Sequence, residues 1–257
     1  MTRNGKYGHS PAADKVGRFD RLGLPIRVFG GETWSRDVGQ LRGCMKRSKI
    51  LIADDHSMVI DGLRRLLEPE YDVVGAVNDG RAVLPEVRKL QPDVVVIDIS
   101  MPLLNGLDCT RQLREAGCTA KILILTMHPD ATLAQEALAA GASGYLLKSS
   151  PGSELKGALK DVLMGRTYLS PAVARDMAAV MGRMTSIHAD IWAHLTSRQR
   201  EVLQLLAEGK SHKEVANILN ISVKTAEYHK YAILDKLGIK TNAELVQYAI
   251  RHGMIAV

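Results

Sequence analysis

Two short apolar runs end in aspartate: Lys49-Ile-Leu-Ile-Ala leads into Asp54-Asp55, and Val94-Val-Val-Ile into Asp98. Two more end in a hydroxyl and a cation, since Lys121-Ile-Leu-Ile-Leu closes on Thr126 and Gly144-Tyr-Leu-Leu on Lys148. If these runs are strands of one parallel sheet, the five residues share a rim. Carboxylates crowded into one crevice repel by an energy on the order of several kcal/mol, which raises a pKa or calls for a divalent cation. With oxygen ligands alone that cation is Mg2+, which takes few carboxylates and keeps water and phosphate oxygens. Lys148 and Mg2+ then neutralise phosphate charge, Thr126 donates a hydrogen bond, and Asp98, in the centre of the sheet, is the nucleophile, because carboxylates form acyl phosphates. Aspartate-based phosphohydrolases carry a second aspartate two residues on as general acid; here that position is Ser100, which argues against a dedicated phosphatase.

The elements that must hold this rim are legible as an alternation of β-branched runs and helical patterns, five strand–helix units from Lys49 to Gly165. Val94-Val95-Val96-Ile97 is apolar on both faces, as expected of a strand covered by helices on both sides. The expected class is a doubly wound α/β domain with strand order 2-1-3-4-5. Its order reverses between the first and third strands, where Asp54, Asp55 and Asp98 end and where such sheets bind ligands. Pro85 lies inside the second helical pattern and is expected in the first turn or at a kink.

Here the residues resemble the receiver domain of two-component response regulators: Asp54-Asp55-His56, Asp98 followed by Ile-Ser-Met-Pro, Asn105-Gly106, Thr126, and Gly-Ala-Ser-Gly-Tyr-Leu-Leu before Lys148. The resemblance spans about 49–167 and implies a flavodoxin-like fold of five parallel strands. It implies that Asp98 accepts a phosphoryl group from a sensor histidine kinase, and that Asp54, Asp55, Asp98 and the backbone carbonyl of Ser100 hold Mg2+. Thr126 and Tyr145 are then the switch pair: the hydroxyl turns toward the phosphate, the ring rotates inward, and the face formed by the fourth helix, fifth strand and fifth helix changes shape. Ser149 departs from the proline that many receivers carry after the lysine; Pro151 follows two residues later.

Residues 169–193, rich in alanine and methionine, read as a helical linker, with Trp192 a packing residue. From His194 the pattern is helical only. Thr196 with Gln199, Ser211 with Glu214 and Thr241 with Glu244 are capping boxes, and Ser222 is a further N-cap. Four short helices follow, with a helix-turn-helix over Ser211 to Leu237. On the segment from Ser222 to Gly238, Glu227, Tyr228 and Tyr231 lie within about 60° of Lys224, while Ala226, Ile233 and Leu237 lie opposite. One face packs, and the other is free to lie in a DNA major groove.

The stretch from Leu195 to Ala249 resembles the LuxR-type helix-turn-helix output domain, and its pairing with a receiver is the NarL/FixJ class. The resemblance implies DNA contacts from Lys224, Thr225, Glu227, Tyr228, Lys230 and Tyr231. Glu227 departs from a frequent lysine, so sequence preference does not carry over. His229 borders the packed side and is expected to be structural. The last helix, with Leu245, Val246, Ala249 and Ile250 on one stripe, is a candidate dimer contact or a purely internal one.

The chain has 257 residues, 46% hydrophobic and 24% charged, a globular composition with room for two cores. Its net charge of +6 is unevenly placed: 8 basic against 4 acidic residues in 1–45, 15 against 16 in 46–168, 2 against 2 in 169–193 and 9 against 6 in 194–257. Bulk basicity therefore says little about DNA. Residues 1–45 hold 8 of the 22 glycines and no sustained period, and are expected to be a disordered extension or to lie upstream of a biological start at Met45. No apolar run has the roughly 18 residues of a membrane span, which makes the cytoplasm the expected compartment. The 3 cysteines form no C-x-x-C pair.

The domain boundaries expected are thus 46–168 for the receiver, 169–193 for the linker and 194–257 for the output domain. The expected function is a DNA-binding transcriptional response regulator switched by phosphorylation of Asp98, with double-stranded promoter DNA as target and a homodimer as the phosphorylated or DNA-bound form. It is no enzyme beyond self-phosphorylation and slow self-dephosphorylation. The rivals are a phosphate-insensitive docking module attached to a DNA binder, and a phosphotransfer enzyme with an incidental helical tail.

Overall fold

The computed structural model describes residues 47–181 and 195–255. The expectations for residues 1–45, for Trp192 and for the linker after Met181 lie outside these. Strands β1 (Lys49–Ala53), β2 (Asp72–Val77), β3 (Val94–Asp98), β4 (Lys121–Thr126) and β5 (Gly144–Leu147) alternate with helices α1 (Ser57–Leu67), α2 (Gly80–Leu90), α3 (Gly106–Glu115), α4 (Ala131–Ala139) and α5 (Gly152–Leu163). All strands pair in parallel in the order β2-β1-β3-β4-β5-β6. The sheet has six strands rather than five: β6 (Tyr168–Leu169) extends the edge by pairing Tyr168 with Gly144 and Leu169 with Tyr145. Two residues are too few for a period-2 signal.

Strand residues alternate between two cores. Ile50, Ile52, Val94, Val96, Leu123 and Leu125 pack toward α1 and α5 with Leu67 and Leu159. Leu51, Val95, Ile97, Ile122 and Ile124 face α2, α3 and α4 in a core that runs on into the helical segment through Val202, Leu203, Val215 and Met254. Helix α2 begins at Gly80 behind the Asp79 cap, which accepts from Ala82 N–H, so Pro85 falls in the second turn and not the first.

After α6 (Pro171–Met181) come α7 (Ser197–Ala207), α8 (His212–Leu219), α9 (Val223–Leu237) and α10 (Asn242–Arg251). The capping boxes at Thr196, Ser211 and Thr241 are all formed, and Ser222 caps α9 by accepting from Thr225 N–H. Asn220 ends α8 and Gly238 ends α9 in the left-handed conformation that lets a helix stop and turn. Among the described residues no helix is long and apolar enough to cross a membrane.

Candidate functional site

Asp54, Asp55 and Asp98 meet where β1 and β3 lie side by side. One ligand atom from each of Asp54, Asp55, His56 and Asp98 falls within 4.8 Å of the others. Asp54 and Asp98 are almost fully buried. Lys148 reaches over from the end of β5, its Nζ 2.7 Å from Asp54 Oδ2 and 2.9 Å from Asp98 Oδ2. Burial raises the Asp98 carboxyl above its ordinary value; Lys148 opposes the rise, and Asp54 and Asp55 add to it. Burial works to lower the Lys148 ammonium, but the hydrogen bond to Asp54 and the charge of Asp98 override it, and the ammonium is held above its ordinary value. The site thus keeps a cation locked between its acids.

Close packing fixes this geometry. A side chain on Gly106 would put Cβ 2.2 Å from the Asp98 carbonyl oxygen, so only glycine lets α3 start so near β3. The Asn105 side chain caps α3 by accepting from Asp108 N–H. His56 turns Nδ1 to within 2.8 Å of Asp55 Oδ1, serving that carboxylate instead of adding a nitrogen ligand. The remaining donors are carboxylate oxygens, which suit a hard divalent cation.

The other rim residues are also in place. Thr126 is buried and its Oγ1 accepts from His128 N–H at 3.2 Å. Tyr145 has no exposure, and its hydroxyl donates to the His128 carbonyl at 2.7 Å. The ring thus occupies its inward position in this structure, where the resemblance implied a rotation to reach it. Ser100 Oγ lies 3.4 Å from His128 Nε2. Asp55 and Ser100 share the wall of a cavity of about 350 Å3 with Met101, Pro102 and Leu103, and Glu208, Lys210 and Ile255 of the helical segment line the same space.

On α9, Ala226 and Ile233 are buried and Leu237 is half-buried, while Lys224, Glu227, Tyr228 and Tyr231 are exposed. Tyr228 and Tyr231 stand 69% and 68% exposed, too much for core residues. Thr225 and Lys230 are half-buried beside them. His229 is half-buried, and burial lowers its imidazole below the ordinary value, in keeping with a packing role. On α10, Leu245 and Ala249 are consumed inside the bundle, leaving Val246 and Ile250 half-buried.

Two family models match the chain: the response regulator receiver domain over residues 50–160, and the LuxR family of bacterial regulatory proteins over 193–249. The oxygen regulatory protein NreC of Staphylococcus carnosus is 37% identical over 214 residues, covering 80% of this chain and 99% of NreC. The chain is a two-component response regulator of the NarL/FixJ class. Among solved structures, the RcsB response regulator of Salmonella typhimurium aligns at 29% identity and TM-score 0.57, covering 79% of this chain and 97% of that one. RcsB of Salmonella enterica serovar Typhimurium bound to promoter P1flhDC with the phosphomimetic BeF3- aligns at 28% identity and TM-score 0.55, covering 79% and 98%. Response regulators of this kind are transcription regulators that pair with sensor kinases, not catalytic enzymes, and receiver domains bind Mg2+ at such an acidic pocket.

The response regulator also joins its two halves by polar contacts that the motifs did not announce. Gln204 of α7 accepts from Asn105 N–H at 2.7 Å and donates to the Met101 carbonyl at 2.9 Å. Glu208 accepts from Leu103 N–H at 2.9 Å. Arg200 Nε lies 2.6 Å from Asp108 Oδ1, and Glu201 takes Gln112 at 3.0 Å and Arg81 at 3.4 Å. The bonds of Gln204 and Glu208 grip the loop that follows Asp98, in which Leu103 is held at φ 67, a conformation a leucine rarely adopts, while those of Arg200 and Glu201 hold α3 and α2. A sequence signal existed: Arg200, Gln204 and Glu208 are four residues apart, one polar stripe on a helix with an apolar neighbourhood.

Proposed function

We propose that Asp98 is the phosphoryl acceptor and that Asp54, Asp55, Asp98 and the Ser100 backbone carbonyl are the Mg2+ ligands. Bound there, Mg2+ supplies charge neutralisation for phosphate oxygens. An Asp98 carboxylate oxygen attacks phosphorus, the P–N bond of a phosphohistidine donor on a sensor histidine kinase breaks, and the departing imidazole nitrogen takes up a proton. Lys148, already 2.9 Å from Asp98, stays to pair with the new phosphoryl oxygens, and Thr126 turns its hydroxyl to them. The observation that carries this reading is the buried Asp54–Lys148–Asp98 bridge at the point where strand order reverses.

Phosphorylation turns the singly charged Asp98 carboxylate into an acyl phosphate that itself carries roughly 1.5 to 2 negative charges, directly before the loop held by Gln204 and Glu208. That loop carries a strained Leu103 and releases α7 when its path changes. The freed output domain, spanning 194–257 beyond a linker at 169–193, binds double-stranded promoter DNA through the α9 face of Lys224, Thr225, Glu227, Tyr228, Lys230 and Tyr231. It pairs as a homodimer in which Val246 and Ile250 of α10 are the available apolar residues. The receiver spans 46–168, and the protein works in the cytoplasm. RcsB bound to promoter DNA with a phosphomimetic supports the scheme. The test is Asp98→Asn with a small phosphodonor and Mg2+: labelling and the gain in DNA binding are both expected to vanish, and persistence of either contradicts the assignment.

A further inference from the structure

Lys148 is held by the sheet on one side only. It stands one residue past the end of β5, in the run Leu147-Lys148-Ser149-Ser150-Pro151 that leads into α5. Toward β4 its backbone is tied, because Lys148 N–H donates to the Thr126 carbonyl at 2.7 Å. On the other edge β6 pairs Tyr168 with Gly144 and Leu169 with Tyr145, and there the strand ends. Ser170 N–H still donates to the Tyr145 carbonyl at 3.0 Å. The next bond of a parallel ladder would run from Leu147 N–H to the Ser170 carbonyl. That carbonyl is instead turned along α6, where it accepts from Ala174 N–H at 2.9 Å.

The Ser170 side chain takes over the missing rung. It is buried, and its Oγ accepts from Leu147 N–H at 3.2 Å, directly before the lysine. Its own proton goes to Glu154 Oε1 of α5 at 2.9 Å, and the Tyr168 hydroxyl donates to that same oxygen at 3.1 Å. Tyr168 is pushed up to about 12, by burial first and by its bond to Glu154 second, so it remains a donor at neutral pH. With its proton committed to Glu154, Ser170 Oγ is oriented to accept. Ser150 Oγ lies 3.4 Å from it, so the clasp holds the loop on both sides of Lys148. Ser149, next to the lysine, lacks the rigidity a proline would bring there.

We propose that Ser170, oriented by Glu154 and Tyr168, is a positioning residue for Lys148. It acts through the Leu147 backbone and sets where the ammonium stands over Asp98, and so how firmly the crevice holds a phosphoryl group. The inference rests on the reading that Lys148 pairs with phosphoryl oxygens on Asp98. It extends the phosphoryl site past residue 168, where the receiver was expected to end, to the residue that directly precedes α6.

The test is titration of beryllofluoride with Mg2+ into the full chain, read from the fluorine resonance of the bound ion, with each variant's thermal midpoint measured without the ion. S170A, which takes the acceptor from Leu147 N–H, is expected to bind about three- to tenfold more weakly than the parent. E154A is expected to weaken binding as well, whereas E154Q, which keeps an oxygen for both hydroxyls, is expected to stay within about twofold of the parent. T241A, destabilised at the cap of α10, is expected to bind as the parent does. Should S170A fail to fold, the half-buried Glu154 carries the comparison through E154A and E154Q. Asp98→Asn is expected to bind none; if it binds as the parent does, the phosphoryl reading fails and takes this inference with it. If Asp98→Asn binds none while S170A or E154A loses thermal stability yet binds as tightly as the parent, the clasp is structural only and the positioning role alone is overturned.

Discussion

Two buried charge clusters sit in this molecule, and they are built on different terms. In the acid crevice, Asp54 and Asp98 share one lysine at 2.7 and 2.9 Å, and every member arrives at the end of a strand. At the domain contact, Asp108, Arg111, Arg200, Glu136 and Tyr248 come from α3, α7, α4 and α10, and Glu136 is left over. The crevice is held by the register of the sheet and is ready before any ligand arrives. The contact exists only while the two halves are together, so its charge balance bears on whether they stay so. The difference separates a site fixed by one domain's sheet from a site that needs both halves of the chain.

The largest difference should appear on removing the cations. Lys148→Ala leaves two buried carboxylates without their partner and is expected to cost about 3 to 5 kcal/mol in urea unfolding at pH 7. Part of the loss should return at pH 5, where a carboxyl that burial already raises takes up a proton more readily. Unchanged stability would break the contrast, since it would mean that the crevice does not depend on its lysine.

Gln204→Ala comes next. It strands the Asn105 N–H and the Met101 carbonyl, which costs the closed form about 1 to 3 kcal/mol. The expected readout is an increase of about tenfold or more in DNA affinity without phosphodonor, since about 1.4 kcal/mol is tenfold in affinity. Tyr228→Ala with Tyr231→Ala should do the reverse. DNA retention drops while the thermal midpoint moves little, because both rings stand in solvent.

The smallest effect lies in the capping boxes. Glu244, held below the ordinary carboxylate value by Lys240 and Thr241 N–H groups, and Glu214, held below it by Ser211, have depressed pKa values in the folded form. Their contribution is present above the ordinary carboxylate value and is lost as pH falls through their folded values. Thr241→Ala should cost about 1 kcal/mol in thermal unfolding at pH 7, with a smaller penalty at pH 3.

The crevice was readable from the chain because each of its residues ends a run whose period declares a strand, and parallel strands put such ends on one rim. The α9 face was readable for the matching reason, with a 3.6-residue period separating Ala226 and Ile233 from Tyr228 and Tyr231. What escaped had no local period. The β6 strand has two residues, and Pro85 is carried in the second turn of α2. Glu136 is a single acid in the alanine-rich stretch Leu133-Ala-Gln-Glu-Ala-Leu, and nothing in that stretch says that its Oε2 is shut away without a partner. Arg200, Gln204 and Glu208 left a trace as a polar stripe, but nothing in the chain says that the loop after Asp98 is what they meet.

The most direct measurement is the salt-matched DNA affinity of the full chain, with and without beryllofluoride and Mg2+, for the parent, Asp98→Asn and Gln204→Ala. If phosphorylation acts by freeing α7 from the loop after Asp98, the parent gains affinity, Asp98→Asn gains none, and Gln204→Ala starts high and gains little. An Asp98→Asn chain that responds like the parent, or a Gln204→Ala chain that starts as weak as the parent, contradicts that mechanism.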